Sequence, residues 1–497
     1  MIRSVNGRPP DSGVVMHLVI DVGTSGIRTA VVRPDAKMVG ERYQRFLPSS
    51  PSPGAVEFDA AEMARLVLES AEATMSEVGP VHSVGIANQR ASTVVWDRRT
   101  GQPVGPGVGW QDLRTVGTCL VLQGDGLRLA PNASATKVAF LLDQHDPDRS
   151  RDLCFGTVDS WLVWVLTKGV LHATDASNAA ITGLATVNEG RIVWDQPVLD
   201  RLRIPASMLP AIVDSSGVLA PAVALPGAPP IAGIAGDQQA SLVGQGCVRP
   251  GLTKITFGTG AMLDMCVGPT QPSFGNRGSS GSLPVVAWQL GGVPTWGVET
   301  IMLSAGTAVE WLRDDLKIID SAEASESVAA GCDDAGGVFF VPALLGLGAP
   351  LWDYGARATF VGITRGTGRA EMVRAVLEGV AHRGADLVEA AETDSGRSIE
   401  TLRVDGGMTA NGVFLQALAD STDRPVEVSP MVEATALGAG FLAGLATGSW
   451  GSLDELATTW RPRLTVEPRG RASQRSQWLR ARERALGWFS DLSAIEF

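Results

Sequence analysis

Two stretches of the chain share one pattern of apolar and polar positions, and they lie in different halves. In HLVIDVGTSGIRTAVV, residues 17–32, the turn Gly-Thr-Ser-Gly separates two runs of aliphatic and β-branched residues. In TKITFGTGAMLDMCV, residues 253–267, the turn Gly-Thr-Gly does the same. Glycine tolerates positive φ and close backbone contacts, and β-branched runs favour strands. Each stretch therefore predicts an antiparallel hairpin with a polar turn.

Helical periodicity and a further strand follow each hairpin. After the first, DAAEMARLVLESAEATMSEV has helical apolar spacing with Asp59 as predicted N-cap, and VHSVGIANQ is a predicted strand. After the second, EMVRAVLEGVAHRGADLVEAAE and TLRVDGG repeat that order. Alternating strands and helices indicate an α/β fold.

The chain of 497 residues is too long for a single hydrophobic core. We expect a disordered lead-in over residues 1–16, a first domain over 17–248 and a second over 249–497. One polar hairpin per half predicts two similar domains that face each other across a cleft. The alternative is that any α/β protein contains several strand, glycine-turn and helix units, so that the two hairpins are unrelated.

Composition and charge argue against some kinds of binding partner and site. The formal net charge of −12 argues against nucleic acid or an anionic membrane as partner, since both need a basic surface. The five cysteines form no CxxC pair, which indicates neither a zinc site nor a disulfide framework and favours a reducing cytoplasm. The most apolar stretch, residues 218–236, is interrupted by prolines and does not predict a membrane span.

The arginine-rich C-terminal segment predicts an amphipathic helix. Trp478, Ala481, Ala485 and Phe489 share one helical face, which we expect to dock on the second domain. The arginines are expected on a solvated face, with a nucleic-acid-binding arm as the alternative.

The first hairpin carries groups suited to a magnesium-bound phosphate. Asp21 ends the first predicted strand, where a carboxylate can hold Mg²⁺ through water. Thr24, Ser25 and the turn amides can hold phosphate oxygens, and Arg28 adds positive charge. A dinucleotide-binding fingerprint is the competing interpretation, but there the glycines open a helix, whereas IRTAVV here predicts a strand.

A second polar site follows the strand-like sequence IAGIAG. It places Asp237, Gln238 and Gln239 before a predicted helix, where a carboxylate can act as general base and an amide can bind a hydroxyl. The alternative is that Asp237 only caps the helix.

Ten motifs in a fixed order give the chain a resemblance to a known family. They are GIANQR, GVGWQ, SATKVAFLLDQ, FGTVDSWLVW, GIAGDQQASLVGQ, KITFGTGAM, FVPALLGLGAPLWD, GITRG, RVDGGMTAN and EATALGAGFLAGLATG. The chain resembles the FGGY carbohydrate kinases over residues 17 to about 450, and among them the glycerol kinases. This resemblance implies two ribonuclease-H-like domains, of the actin, hexokinase and sugar-kinase type, flanking an ATP cleft.

The resemblance also implies roles for individual residues. Asp21 resembles the Mg²⁺ ligand, and Asp237 resembles the catalytic base beside the metal. The expected ATP contacts are Gly23, Thr24, Ser25 and Arg28 in the first hairpin, Gly258 and Thr259 in the second, and Gly306, Glu310, Gly407 and Asn411 near adenosine. The expected polyol contacts are Arg90, Trp110, Gln238 and Asp237.

The chain departs from glycerol kinases at three substrate positions. Ala91 replaces a glutamate, Asn132 replaces a tyrosine, and Met262 replaces an aromatic residue. Losing a buried partner of a hydroxyl group costs roughly 1–3 kcal/mol. Two of the changes also shorten the side chain, so we expect a polyol or sugar of four to six carbons. The alternative is that neighbouring groups refill the space and glycerol remains the substrate.

Two further departures lie near the nucleotide. Gly26 and Glu310 occupy positions where glycerol kinases often carry serine and glutamine. We expect these two differences to tune affinity for the nucleotide only.

The resulting prediction is a cytoplasmic kinase that uses ATP and Mg²⁺ on a small-molecule polyol or sugar, with neither nucleic acid nor membrane as partner. Family resemblance allows a homodimer or homotetramer. Two other classes are kept as alternatives: a sugar-responsive regulator without catalysis, and an actin-like or chaperone ATPase. The combination of Asp21, both hairpins and Asp237 favours the kinase.

Overall fold

The computed structural model describes residues 15–431, 433–470 and 474–495. Most of the predicted lead-in, residues 1–14, lies outside that range. Met16 does not fit the prediction of disorder, because it is buried and its backbone pairs with His82. The Met16 amide donates to His82 Nδ1 at 3.0 Å, and the His82 amide donates to the Met16 carbonyl at 2.7 Å.

The secondary structure of the described residues alternates between strands and helices, as the pattern predicts. The strands are β1 (His17–Val22), β2 (Gly26–Val32), β3 (Met38–Arg45), β4 (Glu57–Phe58), β5 (Ser83–Asn88), β6 (Val94–Asp97), β7 (Gly107–Val108), β8 (Leu153–Gly156), β9 (Ala173–Asp175), β10 (Ala185–Asn188), β11 (Arg191–Trp194), β12 (Ala211–Val213), β13 (Ile231–Gly236), β14 (Thr253–Phe257), β15 (Ala261–Gly268), β16 (Leu283–Leu290), β17 (Val293–Met302), β18 (Phe339–Val341), β19 (Thr359–Val361), β20 (Leu402–Asp405), β21 (Val426–Val428) and β22 (Leu464–Val466). The helices are α1 (Ala60–Val78), α2 (Val116–Gly124), α3 (Ala135–His145), α4 (Val158–Leu166), α5 (Ala176–Ala180), α6 (Gln196–Leu202), α7 (Asp237–Gly244), α8 (Gly306–Asp314), α9 (Ala324–Ala329), α10 (Arg369–Ser395), α11 (Gly412–Thr422), α12 (Ala434–Ala446), α13 (Leu453–Ala457), α14 (Arg475–Glu483) and α15 (Ser490–Ser493).

Each half is built on one main sheet. The first has the order β13-β5-β1-β2-β3, in which β2 is antiparallel to β1 while β5 and β13 run parallel to it. The second has the order β16-β17-β15-β14-β20-β21-β22. Here β15 is antiparallel to β14, and β20 runs parallel to it. The predicted hairpins are β1-β2 and β14-β15, so the two-domain α/β fold is confirmed.

The central strands of both sheets are buried on both faces. Every residue of β1 is buried, which explains why the sequence HLVIDV is an almost continuous apolar run. Helix α1 covers this sheet, and Asp59 caps it as predicted by accepting from the Ala61 and Glu62 amides at 2.9 and 3.0 Å. The buried polar ends of the strands, in contrast, meet at the cleft.

Helices α7 and α12 follow the last parallel strand of each half and cross at a very short distance. A Cβ on Gly244 would lie 2.0 Å from the Ala434 carbonyl oxygen, and a Cβ on Gly438 would lie 1.8 Å from that of Ala240. Helix α12 also packs on β1, β5 and β13 of the first sheet. These glycines therefore bring the backbones of the two halves into direct contact.

The C-terminal helix docks on the second half, but only part of its prediction is correct. Trp478, Ala481 and Ala485 are buried, whereas Phe489 lies beyond the end of α14 and is half exposed. The expectation that the arginines are solvated is wrong for two of them. Arg475 and Arg482 pair with the buried Asp386 at 2.5 and 2.8 Å, because docking brings that carboxylate under the helix.

Two expectations from composition can be compared with the structure. All five cysteines carry free thiols. Within residues 15–431, 433–470 and 474–495, no helix combines the length and the apolar character that crossing a membrane requires.

Candidate active site

The first hairpin turn is held by its own backbone and by two aromatic side chains. The Gly23 amide donates to the Gly26 carbonyl at 3.0 Å. The Tyr43 hydroxyl donates to the Ser25 carbonyl at 3.1 Å, and the Trp110 indole donates to the Thr24 hydroxyl at 3.0 Å. The turn therefore joins the predicted polyol contact Trp110 to the predicted phosphate contact Thr24.

Tyr43 also gives a physical reason for the glycine at position 26. A Cβ on Gly26 would lie 2.4 Å from the Tyr43 hydroxyl oxygen, which is far below a normal contact. A serine there would displace the tyrosine ring from the turn. The sequence alone could not show this contact, because the two positions lie 17 apart in the chain.

Asp21 is the penultimate residue of β1 and is 8% exposed. Burial raises the pKa of this carboxyl to about 7, with the nearby Arg28 opposing the rise and Asp237 and Glu433 adding to it. Arg28 Nη1 lies 4.0 Å from Asp21 Oδ2. A buried carboxylate with too little positive charge around it is suited to a cation.

Arg28 joins the first hairpin to the start of α12 in the other half. Its guanidinium bonds Glu433, which precedes α12, and donates from Nε to Glu41 at 3.1 Å. It also lies over the Tyr43 ring. The positive charge predicted to serve phosphates is thus shared by several carboxylates in this structure.

The second hairpin turn is held mainly by backbone contacts from the start of α8, to which the Thr307 hydroxyl adds one bond to the Thr259 carbonyl at 3.2 Å. The Gly306 amide donates to the Gly258 carbonyl at 2.9 Å, and the Ala305 amide donates to the Thr259 carbonyl at 2.9 Å. A Cβ on Gly306 would lie 2.6 Å from the Gly258 oxygen. Glu310, one turn further along α8, is exposed.

Asp237 is the first residue of α7, and the preceding residue, Gly236, occupies the N-cap position. The alternative that Asp237 serves only as the N-cap is therefore wrong. Its Oδ1 accepts from the Gln238 amide at 2.7 Å and lies 3.5 Å from Arg90 Nε. Burial raises the pKa of Asp237, and the guanidinium of Arg90 opposes the rise.

Arg90 lies between two carboxylates that come from different halves. Its Nη2 lies 2.7 Å from Glu299 Oε2 on β17, and the same nitrogen lies 4.0 Å from the Met262 sulfur. Within the described part of the chain, Nη1 of Arg90 is buried and has no hydrogen-bond partner. That nitrogen is a donor available for a bound hydroxyl.

Glu299 belongs to a row of charged residues that sequence reasoning missed. Lys254, Asp264 and Glu299 lie opposite one another on β14, β15 and β17. Lys254 Nζ pairs with Asp264 Oδ2 at 2.8 Å and donates to the Gln238 side chain. Burial raises the pKa of Glu299 to about 7, opposed by Arg90. The available signal was a single charged residue within each otherwise apolar strand.

Two of the positions that differ from glycerol kinases, Ala91 and Asn132, are bonded through their backbone carbonyls to helix α3 or its N-cap. Ala91 is 4% exposed and has a φ of 60°, and its carbonyl accepts from the Ser134 hydroxyl at 2.9 Å. Buried Lys137 donates to the carbonyls of Trp110 and Asn132 at 3.0 and 3.1 Å. The Asn132 residue itself is exposed. Left-handed backbone at a buried alanine is typical of a constrained functional segment.

Two predicted adenosine contacts lie at the end of β20. A Cβ on Gly407 would meet no atom within 4 Å, which leaves this backbone open to a ligand. Asn411 caps α11, because its Oδ1 accepts from the Phe414 amide at 2.9 Å, and its Nδ2 donates to Ser325 at 3.0 Å. Its side-chain amide therefore has a structural role in addition to the predicted one.

The donor set fits a magnesium ion that is held mainly by a nucleotide. Among the described residues, no group of three or more histidine, cysteine, aspartate or glutamate side chains is arranged to hold a metal. Mg²⁺ in phosphoryl-transfer sites usually binds one or two carboxylates, phosphate oxygens and water. Asp21 and Asp237 are the two candidate carboxylates, and the charge of Asp237 contributes to the raised pKa of Asp21.

Comparisons with known proteins agree with this geometry. Residues 16–244 match the N-terminal domain of the FGGY family of carbohydrate kinases, and residues 254–447 match its C-terminal domain. A glycerol kinase of Aromatoleum aromaticum is 42% identical, with 95% of this chain and 99% of that protein covered. A glycerol kinase of Trichlorobacter lovleyi is 44% identical over the same shares.

Solved structures give the same fold. Plasmodium falciparum glycerol kinase with ADP is 28% identical, has a TM-score of 0.86, and covers 97% of this chain and 99% of its own. Gluconate kinase from Lactobacillus acidophilus is 20% identical, has a TM-score of 0.84, and covers 97% of this chain and 99% of its own. The latter likeness concerns the fold alone.

Proposed function

The chain belongs to the FGGY family of carbohydrate kinases, and on that premise we propose that Asp237 is the general base that activates a hydroxyl of a four- to six-carbon polyol or sugar. The observation that carries the proposal is the position of Asp237. It begins a helix at the cleft, 3.5 Å from a guanidinium whose Nη1 has no hydrogen-bond partner among the described residues. A base must lie within reach of the proton that it removes.

The cleft residues have different roles in phosphoryl transfer. Magnesium-bound ATP supplies the γ-phosphoryl group, and the metal neutralises charge on the phosphates. Arg90 donates to substrate oxygens and holds the reacting hydroxyl toward Asp237 Oδ1. Asp237 takes the hydroxyl proton as the oxygen bonds to the γ-phosphorus and the bond between that phosphorus and the ADP oxygen breaks. Thr24, Ser25 and the turn amides of both hairpins hold the phosphates.

Replacement of Asp237 by asparagine tests the base directly. The variant Asp237→Asn keeps the shape of the side chain but cannot take the proton, so we expect kcat to fall by about 100-fold or more. Binding of the polyol, measured by calorimetry, is expected to change little. Asp35→Asn, at an exposed carboxylate on a turn, is the control and should keep wild-type turnover. Near-normal turnover of Asp237→Asn would remove it from the role.

The larger substrate rests on Ala91 and Asn132, whose side chains are shorter than those in glycerol kinases. The second candidate, glycerol itself, is favoured by the 42–44% identity to proteins named glycerol kinase. Burial of Ala91 favours it too, since neighbouring groups cover that Cβ.

Initial rates with glycerol, erythritol, ribitol, xylulose and ribulose decide between the two substrates. The larger substrate predicts the highest kcat/KM for one of the longer compounds, and glycerol in first place would contradict it. The double variant Ala91→Glu with Asn132→Tyr should then shift the preference toward glycerol by roughly tenfold or more. An unchanged ranking would show that these positions do not line the substrate pocket.

A further inference from the structure

The residues around the start of α5 form a fully buried polar cluster that the proposed chemistry does not use. Asp175 is 0% exposed. Its Oδ1 accepts from the Ser177 hydroxyl, the Asn178 amide and the Asn178 side chain, each at 2.9 Å. Its Oδ2 accepts from the Ser177 amide at 3.0 Å and from the Ser215 hydroxyl at 2.7 Å. Five donors on one buried carboxylate fix its neighbours in single orientations.

One branch of this cluster reaches the residue before Asp237. The Ser177 hydroxyl donates to Asp175, which leaves its lone pairs to accept from the Gly236 amide at 3.1 Å. Gly236 caps α7 and directly precedes Asp237. Because Asp175 fixes the orientation of the Ser177 hydroxyl, it also fixes the Gly236 amide. The backbone position from which the Asp237 side chain extends is fixed with it.

A second branch reaches the segment that carries Arg90. The side-chain amides of Asn178 and Asn88 bond each other in both directions, at 2.9 and 3.1 Å. Asn88 also donates to the Gln89 carbonyl at 2.9 Å. Because Asn88 ends β5 two residues before Arg90, the same cluster holds the backbone on both sides of the ion pair.

The pair that the cluster supports has little freedom to shift. A Cβ on Gly236 would lie 2.8 Å from Arg90 Cδ, so the backbone before the base is packed directly on the arginine side chain. Arg90 Nε and Asp237 Oδ1 are 3.5 Å apart. Displacements of about 1 Å at a reacting group can reduce rates by roughly 100-fold.

We propose that Asp175 is a positioning residue for phosphoryl transfer, acting through Ser177 on Asp237 and through Asn178 on Arg90. The inference rests on the proposed function, because it assigns no chemistry to Asp175 itself. Asp175 touches neither substrate nor nucleotide. Its effect is to hold the base and the guanidinium at their mutual distance.

The cluster contains its own matched control. Ser215, like Ser177, donates its hydroxyl to Asp175 and accepts a backbone amide, in this case that of Gln289 on β16 at 3.0 Å. Both serines are buried, and removal of either hydroxyl leaves one buried amide without its partner. The Ser177 hydroxyl bonds the residue next to Asp237, whereas Ser215 bonds the same strand through its backbone carbonyl, at the Ile234 amide, which an alanine at position 215 keeps.

The test compares Ser177→Ala with Ser215→Ala in the full chain. Both variants should lose similar thermal stability, since each loses one hydrogen bond to Asp175 and one from a buried backbone amide. We expect kcat to fall by roughly 10- to 100-fold in Ser177→Ala and by less than about threefold in Ser215→Ala, with the KM for ATP unchanged in both. Equal kcat values in the two variants, with similar melting temperatures, would overturn the proposal.

A second comparison tests Asp175 and separates this inference from the proposed function. Asp175→Asn should lower kcat at least as much as Ser177→Ala. Asp159→Asn should not, because the Oδ2 of this fully buried neighbour accepts from the Thr174 hydroxyl at 2.7 Å and from the Asp175 amide at 3.3 Å, and an asparagine oxygen can still accept both. Equal kcat values for Asp175→Asn and Asp159→Asn would overturn the positioning role. If Asp237→Asn is inactive while these two variants have equal kcat values, only the positioning role is contradicted and the proposed function stands. If Asp237→Asn is active, the proposed function itself is contradicted.

Discussion

The two hairpins have the same backbone plan but carry different chemistry. In the first, Asp21 lies opposite Arg28 on one side and Ala87 on the other; in the second, Thr256 lies opposite Met262 and Asp405. Asp21 and Thr256 each stand two residues before the first glycine of their turn. The first hairpin thus carries a carboxylate where the second carries a hydroxyl, and the carboxylate beside that hydroxyl, Asp405, belongs to the neighbouring strand β20.

The support of the two turns differs in the same way. Side chains of Tyr43 and Trp110 hold the first turn, and Trp110 connects it to the predicted substrate pocket. Backbone amides of Ala305 and Gly306 hold the second, with one additional bond from the Thr307 hydroxyl. Side-chain support can change with the substrate, whereas backbone support is rigid. The two hairpins therefore share a strand arrangement but differ in the groups that surround their turns.

The largest expected difference between the two hairpins comes from substituting the equivalent residues Asp21 and Thr256. We expect Asp21→Asn to lower kcat by about 100-fold or more, because the metal loses its charged protein ligand. Thr256→Val removes a hydroxyl that accepts from Lys254 at 3.1 Å, which should cost about 1 kcal/mol of stability and change kcat only a few-fold. Steady-state rates over a range of Mg²⁺ concentrations check this. Similar losses in both variants would contradict the asymmetry.

Adding one methyl group to each turn should separate the two kinds of support. In Gly306→Ala the new Cβ meets the Gly258 carbonyl, and backbone cannot move aside, so we expect the KM for ATP to rise by roughly tenfold. In Gly26→Ala the new Cβ meets the end of the Tyr43 side chain, which is 55% exposed and can rotate away. The KM for ATP should then change less than about twofold. A larger effect at Gly26 would show that Tyr43 is fixed.

The smallest expected effect concerns acid stability. Burial lowers the pKa of His17 to about 4 and that of His172 to about 4 in the first half, and that of His382 to about 3 in the second. The unfolded chain binds these protons from about pH 6.5 downward, but the folded chain does not. These three histidines should therefore lower the free energy of unfolding as the pH drops from about 6.5 to about 4, while buried carboxyls with a raised pKa, among them Asp21 and Glu299, act in the opposite direction.

Urea titrations across this pH range measure the effect, with His17→Gln as the comparison. His17 bonds Ser83 at 2.7 Å and Ser449 of the other half at 2.8 Å. As the pH drops, the free energy of unfolding of the wild type should fall relative to that of the variant, because only the wild type carries this histidine. Parallel slopes would show that His17 is not a source of the pH dependence.

Part of the candidate site could be predicted from the sequence for a local reason. Asp21 directly follows an apolar run and precedes a glycine turn, so its place at the end of a buried strand follows from alternation and turn chemistry. Asp237 follows IAGIAG in the same way. Roles for Gly306 and Asn411 came only from family resemblance, and the structure adds a backbone contact for the former and a helix cap for the latter.

The sequence by itself determined the two hairpins, the α/β class and the carboxylates at the strand ends, because periodicity and glycine act over a few neighbouring residues. Only the tertiary structure decided that Glu299 meets Arg90, that Trp110 bonds Thr24 and that Asp175 supports Asp237. These contacts join positions far apart in the chain. They depend on the register of each sheet and on the close crossing of α7 with α12, which no local pattern encodes.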